Sequence, residues 1–224
     1  MDVFGDHALV CSCRGDRTKR HNALRNQCFF DALTAGFPGA ELERPGLLPP
    51  RPADEGPPSQ EADGLEVDVS GRRPADVYLP RWRNGVPAAW DLAVSSGLRA
   101  DLLAESAASP SAALERYEEA KRQHQDTQRR CQAEGLTFLP LVVEAHGGGW
   151  GPEARKAFAI LAKRVADTTG ETVACVAAQH AQRLSVLLQR ENSRAVLRRL
   201  QGRRQGATVA RLAAATAAVS ADAV

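Results

Sequence analysis

Two aspartates in a segment that is typical of a β-hairpin are the residues best suited to do chemistry. Asn84-Gly85 separates two β-like runs, and this dipeptide strongly favours a two-residue turn. With that turn, Asp76 faces Ala93 across the hairpin. Asp91 then lies on the same face as Asp76, a diagonal neighbour at about 7 Å. Two carboxylates on one face can bind a hard cation such as Mg²⁺, so the hairpin predicts a magnesium site.

A lysine on the following helix is the candidate third member of the site. The pattern predicts a helix from Ser111 to Glu134, with Tyr117, Lys121 and Cys131 on the stripe that faces the sheet. Near two carboxylates and a metal, Lys121 could orient or deprotonate an attacking water and stabilise negative charge on a phosphodiester. The alternative is that Lys121 extends from the edge of its stripe into solvent.

A histidine near the start of an earlier helix is a fourth candidate. The predicted helix runs from Arg17 to Ala35, and His21 begins its apolar stripe. His21 fits a phosphate contact or a supporting role at the site. It fits equally well a histidine whose hydrogen bonds are all made within the fold. Asp76 and Asp91 also have an ordinary interpretation, as acids on the solvated side of a hairpin.

An arginine cluster near the C-terminus is the candidate nucleic-acid interface. From Arg183 to Arg211 there are eight arginines and a single acid, Glu191, although the net charge of the whole chain is only +2. Such a run is by default a solvated face. Five of its members make a cluster suited to a nucleic-acid backbone or a nuclear import receptor: Arg194, Arg198, Arg199, Arg203 and Arg204.

The elements that must position these residues predict an α/β fold. After the first helix, patterns predict short strands and helices over 41–48, 75–79, 88–94, 111–134, 137–144, 152–169 and 172–200. This order, helix, strand, hairpin, helix, strand and helices, gives a small mixed β-sheet flanked by helices, with a C-terminal helical extension. The loop AHGGGWG before Pro152 lacks the Gly-Lys-Ser/Thr ending of a phosphate loop, so a tight strand-to-helix turn explains its glycines.

Four regions follow from these patterns. They are an N-terminal segment over 1–16, a core domain over 17–169 with a Pro/Gly-rich insert over 49–73, a basic helical extension over 170–205, and an Ala-rich tail over 206–224 that we expect to fray. The first segment holds His7, Cys11 and Cys13, which is one ligand short of a structural zinc site. We therefore expect no Zn²⁺.

Composition excludes several classes of protein. With 43% apolar and 25% charged residues, the chain of 224 residues is neither disordered nor fibrous. No apolar stretch approaches the roughly 20 residues of a membrane span, so we expect no membrane partner. The start has no secretory pattern and five cysteines cannot all pair internally, which favours a reducing intracellular compartment.

Four features in this order resemble a known family: RHN on a helix (Arg20, His21, Asn22), Pro-x-Asp at a strand start (Pro74, Ala75, Asp76), an acid in the next strand (Asp91), and a lysine on the helix after it (Lys121). The series is similar to the restriction-like endonuclease at the C-terminus of some non-LTR retrotransposon proteins, within the PD-(D/E)xK nuclease superfamily. The resemblance covers roughly Phe4 to Trp150 and implies a restriction-endonuclease-like core.

The resemblance also implies a function. It implies Mg²⁺-dependent cleavage of DNA, with Asp76 and Asp91 as metal ligands and His21 at the site. Ala93 stands where the superfamily generally has lysine, so Lys121 would take the catalytic role from the helix. The parent element would supply RNA and a polymerase module as further partners, and the frame resembles a truncated copy of such an element. A nuclear location is then expected. A catalytically inactive remnant that binds nucleic acid, or an interaction module with neither property, stays as the alternative.

Overall fold

A computed structural model describes residues 15–49, 75–99, 101–109, 111–147 and 149–221, with side chains described as far as residue 198. The described chain is an α/β sandwich in which a four-stranded mixed sheet lies between helices. Its elements, in chain order, are α1 (Asp16–Thr34), β1 (Glu41–Leu42), β2 (Val77–Arg83), β3 (Val86–Ser95), α2 (Leu103–Ala108), α3 (Ala112–Gln123), a 3₁₀ turn (His124–Asp126), α4 (Thr127–Ala133), β4 (Thr137–Glu144), α5 (Pro152–Thr169) and α6 (Val173–Ala221).

The sheet has the order β1-β2-β3-β4, and its last pair is parallel. β1 and β3 each run antiparallel to β2, whereas β4 runs parallel to β3 from Ala88↔Thr137 to Ser95↔Glu144. A parallel neighbour needs a crossover connection, and α2, α3 and α4 supply it. β4 is a near-continuous apolar run because helices cover both faces of the sheet at that position.

The β2–β3 hairpin has the predicted turn but an unpredicted register. Arg83 pairs with Val86 across the Asn84-Gly85 turn, as expected from a two-residue loop. The ladder then shifts, so that three residues of β2 oppose Pro87 alone before regular pairing resumes. Pro80 and Pro87 both fall in this stretch, and proline cannot donate to a ladder, which explains why the bulge forms there.

The shift changes what faces Asp76. The expected Asp76–Ala93 pairing is wrong, because the observed register pairs Val77 with Trp90 and the regular pairing of β2 with β3 ends there. The Asp76 amide donates to the Trp90 carbonyl at 2.8 Å, which is one residue out of step with that register, as in a β-bulge at the start of β2. Asp91 meets Lys121 of α3, whereas the Asp76 carboxylate meets the Leu92 amide and His21 of α1. The shared face that the sequence predicted therefore does not hold for Asp76.

One face of the sheet packs against α1, α5 and α6 to form the main core. Trp90 is fully buried at its centre and meets Trp82 edge to face, with ring centroids 5.2 Å apart. Helix α1 contributes Leu24 and Cys28. The other described core side chains on this face include Val77, Leu79, Leu92, Leu141, Val143, Ala154, Ala157, Leu161, Leu184 and Leu188.

The opposite face is covered by α3 and α4, which the sequence predicted to be one helix. That prediction is wrong, because Gln125 and Asp126 both adopt φ of 55° and break the helix at a 3₁₀ turn. The break lets each half pack on its own part of the sheet. Leu114 of α3 packs with Ala93 and Val142, and α4 packs elsewhere through Cys131. Helix α2, which the sequence did not predict, precedes α3.

Helix α6 packs along α1 and takes part in the main core. Asp31 of α1 is buried, and it lies 3.0 Å from His180 Nε2 and 2.6 Å from Arg183 Nη1, both on α6. Nearer the other end of α1, buried Arg20 donates to Asn192 Oδ1 at 2.9 Å. The backbone of α6 continues as helix to Ala221, well past the end at about Leu200 that the sequence predicted.

Several sequence predictions lie outside the described residues. These are the half zinc site at His7, Cys11 and Cys13 and the Pro/Gly-rich insert over 49–73, apart from Pro49. The strand expected around Glu41 to Leu48 is described, and it is only the two-residue β1.

Candidate functional site

Asp76 lies immediately before β2 and uses its side chain to continue the hairpin ladder. Its Oδ2 accepts the Leu92 amide at 2.6 Å, taking the place of the backbone carbonyl that a longer β2 would supply. The carboxylate is mostly buried, with a side-chain exposure of 17%. The sequence placed Asp76 at a strand start, and this contact shows how the fold fixes it there.

His21 reaches the same point from α1. Its Nε2 lies 3.1 Å from Asp76 Oδ2 and 3.1 Å from the Leu92 carbonyl, and its Nδ1 lies 3.2 Å from Asn22 Oδ1. Both ring nitrogens therefore face oxygen acceptors, which favours the doubly protonated ring. The hydrogen bond to Asp76 raises the pKa of His21 above its ordinary value of 6.5, although burial opposes it.

Asp91 and Lys121 form the second acid–cation pair of the site. Lys121 Nζ lies 2.9 Å from Asp91 Oδ2 and 3.1 Å from Oδ1, so the ammonium bridges both oxygens. Burial raises the pKa of Asp91 above 3.8, and the charge of Lys121 offsets only part of that effect. Burial lowers the pKa of Lys121, but the charge of Asp91 and their hydrogen bond outweigh it and keep it above 10.5. Lys121 thus points inward, not into bulk solvent.

The two pairs belong to one electrostatic unit beside one pocket. The charge of Asp76 raises the pKa values of Asp91 and Lys121, and the charge of His21 lowers that of Asp91. An open pocket with a volume of about 360 Å³ adjoins them. It is lined by Arg17, Thr18, Arg20 and His21 from α1, by Asp91, Leu92, Ala93 and Val94 from β3, and by Tyr117 and Lys121 from α3.

Sequence reasoning missed two useful residues at this pocket. Arg17 is exposed and lies one helical turn before His21, so i,i+4 spacing could have identified it. Tyr117 was assigned only to the inner stripe, yet it lines the pocket beside Lys121. His124, on the 3₁₀ turn after α3, is exposed and is not among the residues that line the pocket.

The oxygen donors at this point fit Mg²⁺ by their chemistry. Two carboxylates and the Leu92 carbonyl are hard oxygen ligands, and Mg²⁺ typically takes one or two protein carboxylates while keeping waters and phosphate oxygens. Within the part of the chain that the structure describes, no three His, Cys, Asp or Glu side chains are grouped to hold a metal ion. Any metal here would therefore be held by Asp76, Asp91, the Leu92 carbonyl and non-protein oxygens.

The arginine cluster is partly neutralised by acids of the same fold. Arg194 pairs with Glu191 one turn before it, and Arg198 pairs with the buried carboxylate of Asp16 at the start of α1. The side chains of Arg199, Arg203 and Arg204 lie outside the described residues. Of the five arginines, Arg194 therefore pairs within α6, and Arg198 connects α6 to α1.

Comparisons with protein-family models and with curated proteins find no match for this chain. Among the helices that the structure describes, none has the length and apolar character required to cross a membrane.

Proposed function

We propose that this chain is a DNA endonuclease-like domain of retroelement origin with a restriction-endonuclease-like core, which cleaves a phosphodiester with the help of Mg²⁺. One observation carries the proposal. Asp76, Asp91 and Lys121, chosen from their order in the sequence, form with His21 one electrostatic unit, and all but Asp76 line the same pocket. This combination of two acids and a lysine is suited to phosphodiester chemistry.

The contacts of each residue suggest its role. Asp76 and Asp91 would hold Mg²⁺, which when bound supplies a lowered water pKa and neutralises phosphate charge. Lys121 keeps its proton at neutral pH because its pKa lies above 10.5, which supports the role of a charge donor to the developing phosphorane rather than that of a base. His21 holds Asp76 in place through its ring nitrogen. Arg17, exposed at the pocket, is suited to a neighbouring phosphate of the DNA strand.

A plasmid-nicking assay tests the proposal directly. The wild-type protein should convert supercoiled DNA to the open circle with Mg²⁺ and not with EDTA. Asp76→Asn, Asp91→Asn and Lys121→Met should each abolish nicking. A matched control is the exposed pair Lys163–Asp167 of α5, at 3.3 Å, whose variants Lys163→Met and Asp167→Asn should nick normally. Nicking that survives Asp91→Asn, or that needs no divalent cation, would refute the assignment.

A second function, a nucleic-acid-binding remnant without turnover, is favoured by a different observation. Each acid already has donors from the chain itself: Asp76 accepts from Leu92 and His21, and Asp91 pairs with Lys121. A metal would have to compete with these contacts. DNA binding that falls with salt, together with an absence of nicking at any Mg²⁺ concentration, would select this function.

Either function requires access to DNA, and we propose a nuclear location on that basis. Arg199, Arg203 and Arg204, in the C-terminal part of α6, would then serve an import receptor or the nucleic-acid backbone.

A further inference from the structure

A buried acid on α3 lies outside the pocket and is not used by the proposed chemistry. Glu118 has 2% of its surface exposed, although glutamate is almost never fully buried without a partner. Its Oε1 accepts the backbone N–H of Glu153 at 3.2 Å, in the first turn of α5. Its Oε2 lies 3.7 Å from Arg122 Nη2. Glu118 therefore connects the helix that carries Lys121 to the beginning of a different helix.

The start of α5 is built to receive this carboxylate. The N-cap of α5 is Gly151, which offers no side-chain acceptor to the first amides, so an acid from outside satisfies one of them. A Cβ added to Gly151 would lie 2.9 Å from the Glu118 carboxyl carbon and closer still to Oε1. Gly151 has φ of −64°, which any residue adopts, so the glycine is required for space rather than for backbone conformation.

The distribution of buried residues along α3 gives this contact its importance. α3 is only 12 residues long, and its buried residues are Ala113, Leu114 and Glu118. Ala113 and Leu114 lie in its first turn, which leaves Glu118 as the buried anchor of the half that carries Lys121. A helix of this length is marginal by itself, so its position depends on such anchors.

We propose that Glu118 is a positioning residue, whose contact with the first turn of α5 at Gly151 holds the second half of α3 so that Lys121 meets Asp91. The consequence for DNA cleavage rests on the proposed function, whereas the effect on the Lys121–Asp91 contact does not. Tyr117, which is partly buried against Ala93 and Val142, supports the same half of the helix more weakly.

NMR of the lysine ammonium groups tests the positioning without any need for catalysis. The chain has only four lysines, and Lys156 and Lys163 have exposed side chains, at 71% and 70%, that serve as internal references. In the wild type the Lys121 ammonium should give a signal protected from solvent exchange, identified by its loss in Lys121→Arg. Glu118→Ala should lose that protection, and Glu118→Gln, which keeps an acceptor oxygen for Glu153, should retain it. Glu119→Gln is the matched control, since Glu119 is a neighbouring acid with a 54% exposed side chain.

A double variant separates positioning from simple stabilisation. Gly151→Ala alone should destabilise the fold because its Cβ meets the Glu118 carboxylate. Adding Glu118→Ala should recover part of that loss, since the methyl group then fills vacated space. We expect this double variant to fold and still lack Lys121 protection. If nicking is observed, its kcat should fall by roughly ten- to a hundredfold with little change in KM, the scale of a misplacement of about 1 Å. Protection that persists in folded Glu118→Ala, or that returns with stability in the double variant, would overturn the proposal.

Discussion

Replacing Glu118 with glutamine should make the protein more stable above neutral pH and change little at pH 5. Burial raises the pKa of Glu118 to about 7, against an ordinary value of 4.5, and the charges of Glu153 and Glu115 add to the effect while the Glu153 amide and Arg122 oppose it. Between these two values the folded state binds more protons than the unfolded state, so stability falls as the pH rises. Above pH 7, the difference between the two pKa values corresponds to a loss of folding stability on the order of 3 kcal/mol.

Urea denaturation of both proteins at pH 5, 6, 7 and 8 measures this difference. The wild type should lose stability across the series relative to Glu118→Gln, with a gap in the free energy of unfolding on the order of 3 kcal/mol at pH 8. His21 and Asp91 also have raised pKa values, and each contributes stability that is lost as the pH rises, but both are present in the two proteins and cancel in the comparison. Parallel stability profiles would show that Glu118 is not desolvated as its burial implies.

Three further outcomes are expected from single substitutions. Asp76→Asn should lower the pKa of His21 towards 6.5 in an NMR titration, because the Asp76 hydrogen bond is the largest cause of its rise; an unchanged pKa would contradict the contact. Arg17→Gln should reduce the slope of log DNA affinity against log salt by about 0.9, and an unchanged slope would remove Arg17 from the interface. Asn192→Ala leaves the buried Arg20 without this acceptor and should cost roughly 1–3 kcal/mol in urea denaturation, whereas a loss below about 0.5 kcal/mol would indicate a replacement partner.

The elements that the sequence predicted best are those with local signals at both ends. Helix α5 begins and ends at Pro152 and Thr169 as expected, since proline at the first position and Gly170 in the left-handed conformation are explicit start and stop signals. Strand β4 has the predicted bounds because a continuous apolar run of strand length has few other solutions.

The predictions that failed depended on pairing and packing rather than on local pattern. Pro80 and Pro87 are visible in the sequence, and each lacks a backbone N–H donor. The position at which the register shifts, however, depends on both strands together. The helix break at Gln125 and Asp126 has no glycine or proline to announce it. It follows from the fit of two helices to the sheet. From the sequence, the glycines of the loop before Pro152 were explained by a tight turn. That Gly151 leaves space for the Glu118 carboxylate could not be predicted, because Glu118 lies on another helix.

The convergence at the candidate site is likewise a property of the whole sandwich. The charge of Asp76 raises the pKa of Asp91, and the fold balances the two acids with one cation from each helical layer: His21 from α1 and Lys121 from α3. The contacts span 55 and 30 residues of sequence, so local periodicity could not predict that the four residues would meet. Each cation is held by a different helical layer. Loosening either layer would therefore leave one carboxylate without its cation, next to the other carboxylate. The smallest unit that can carry the proposed chemistry is therefore the sheet with both of its helical layers, and the hairpin that carries the two aspartates is not sufficient by itself.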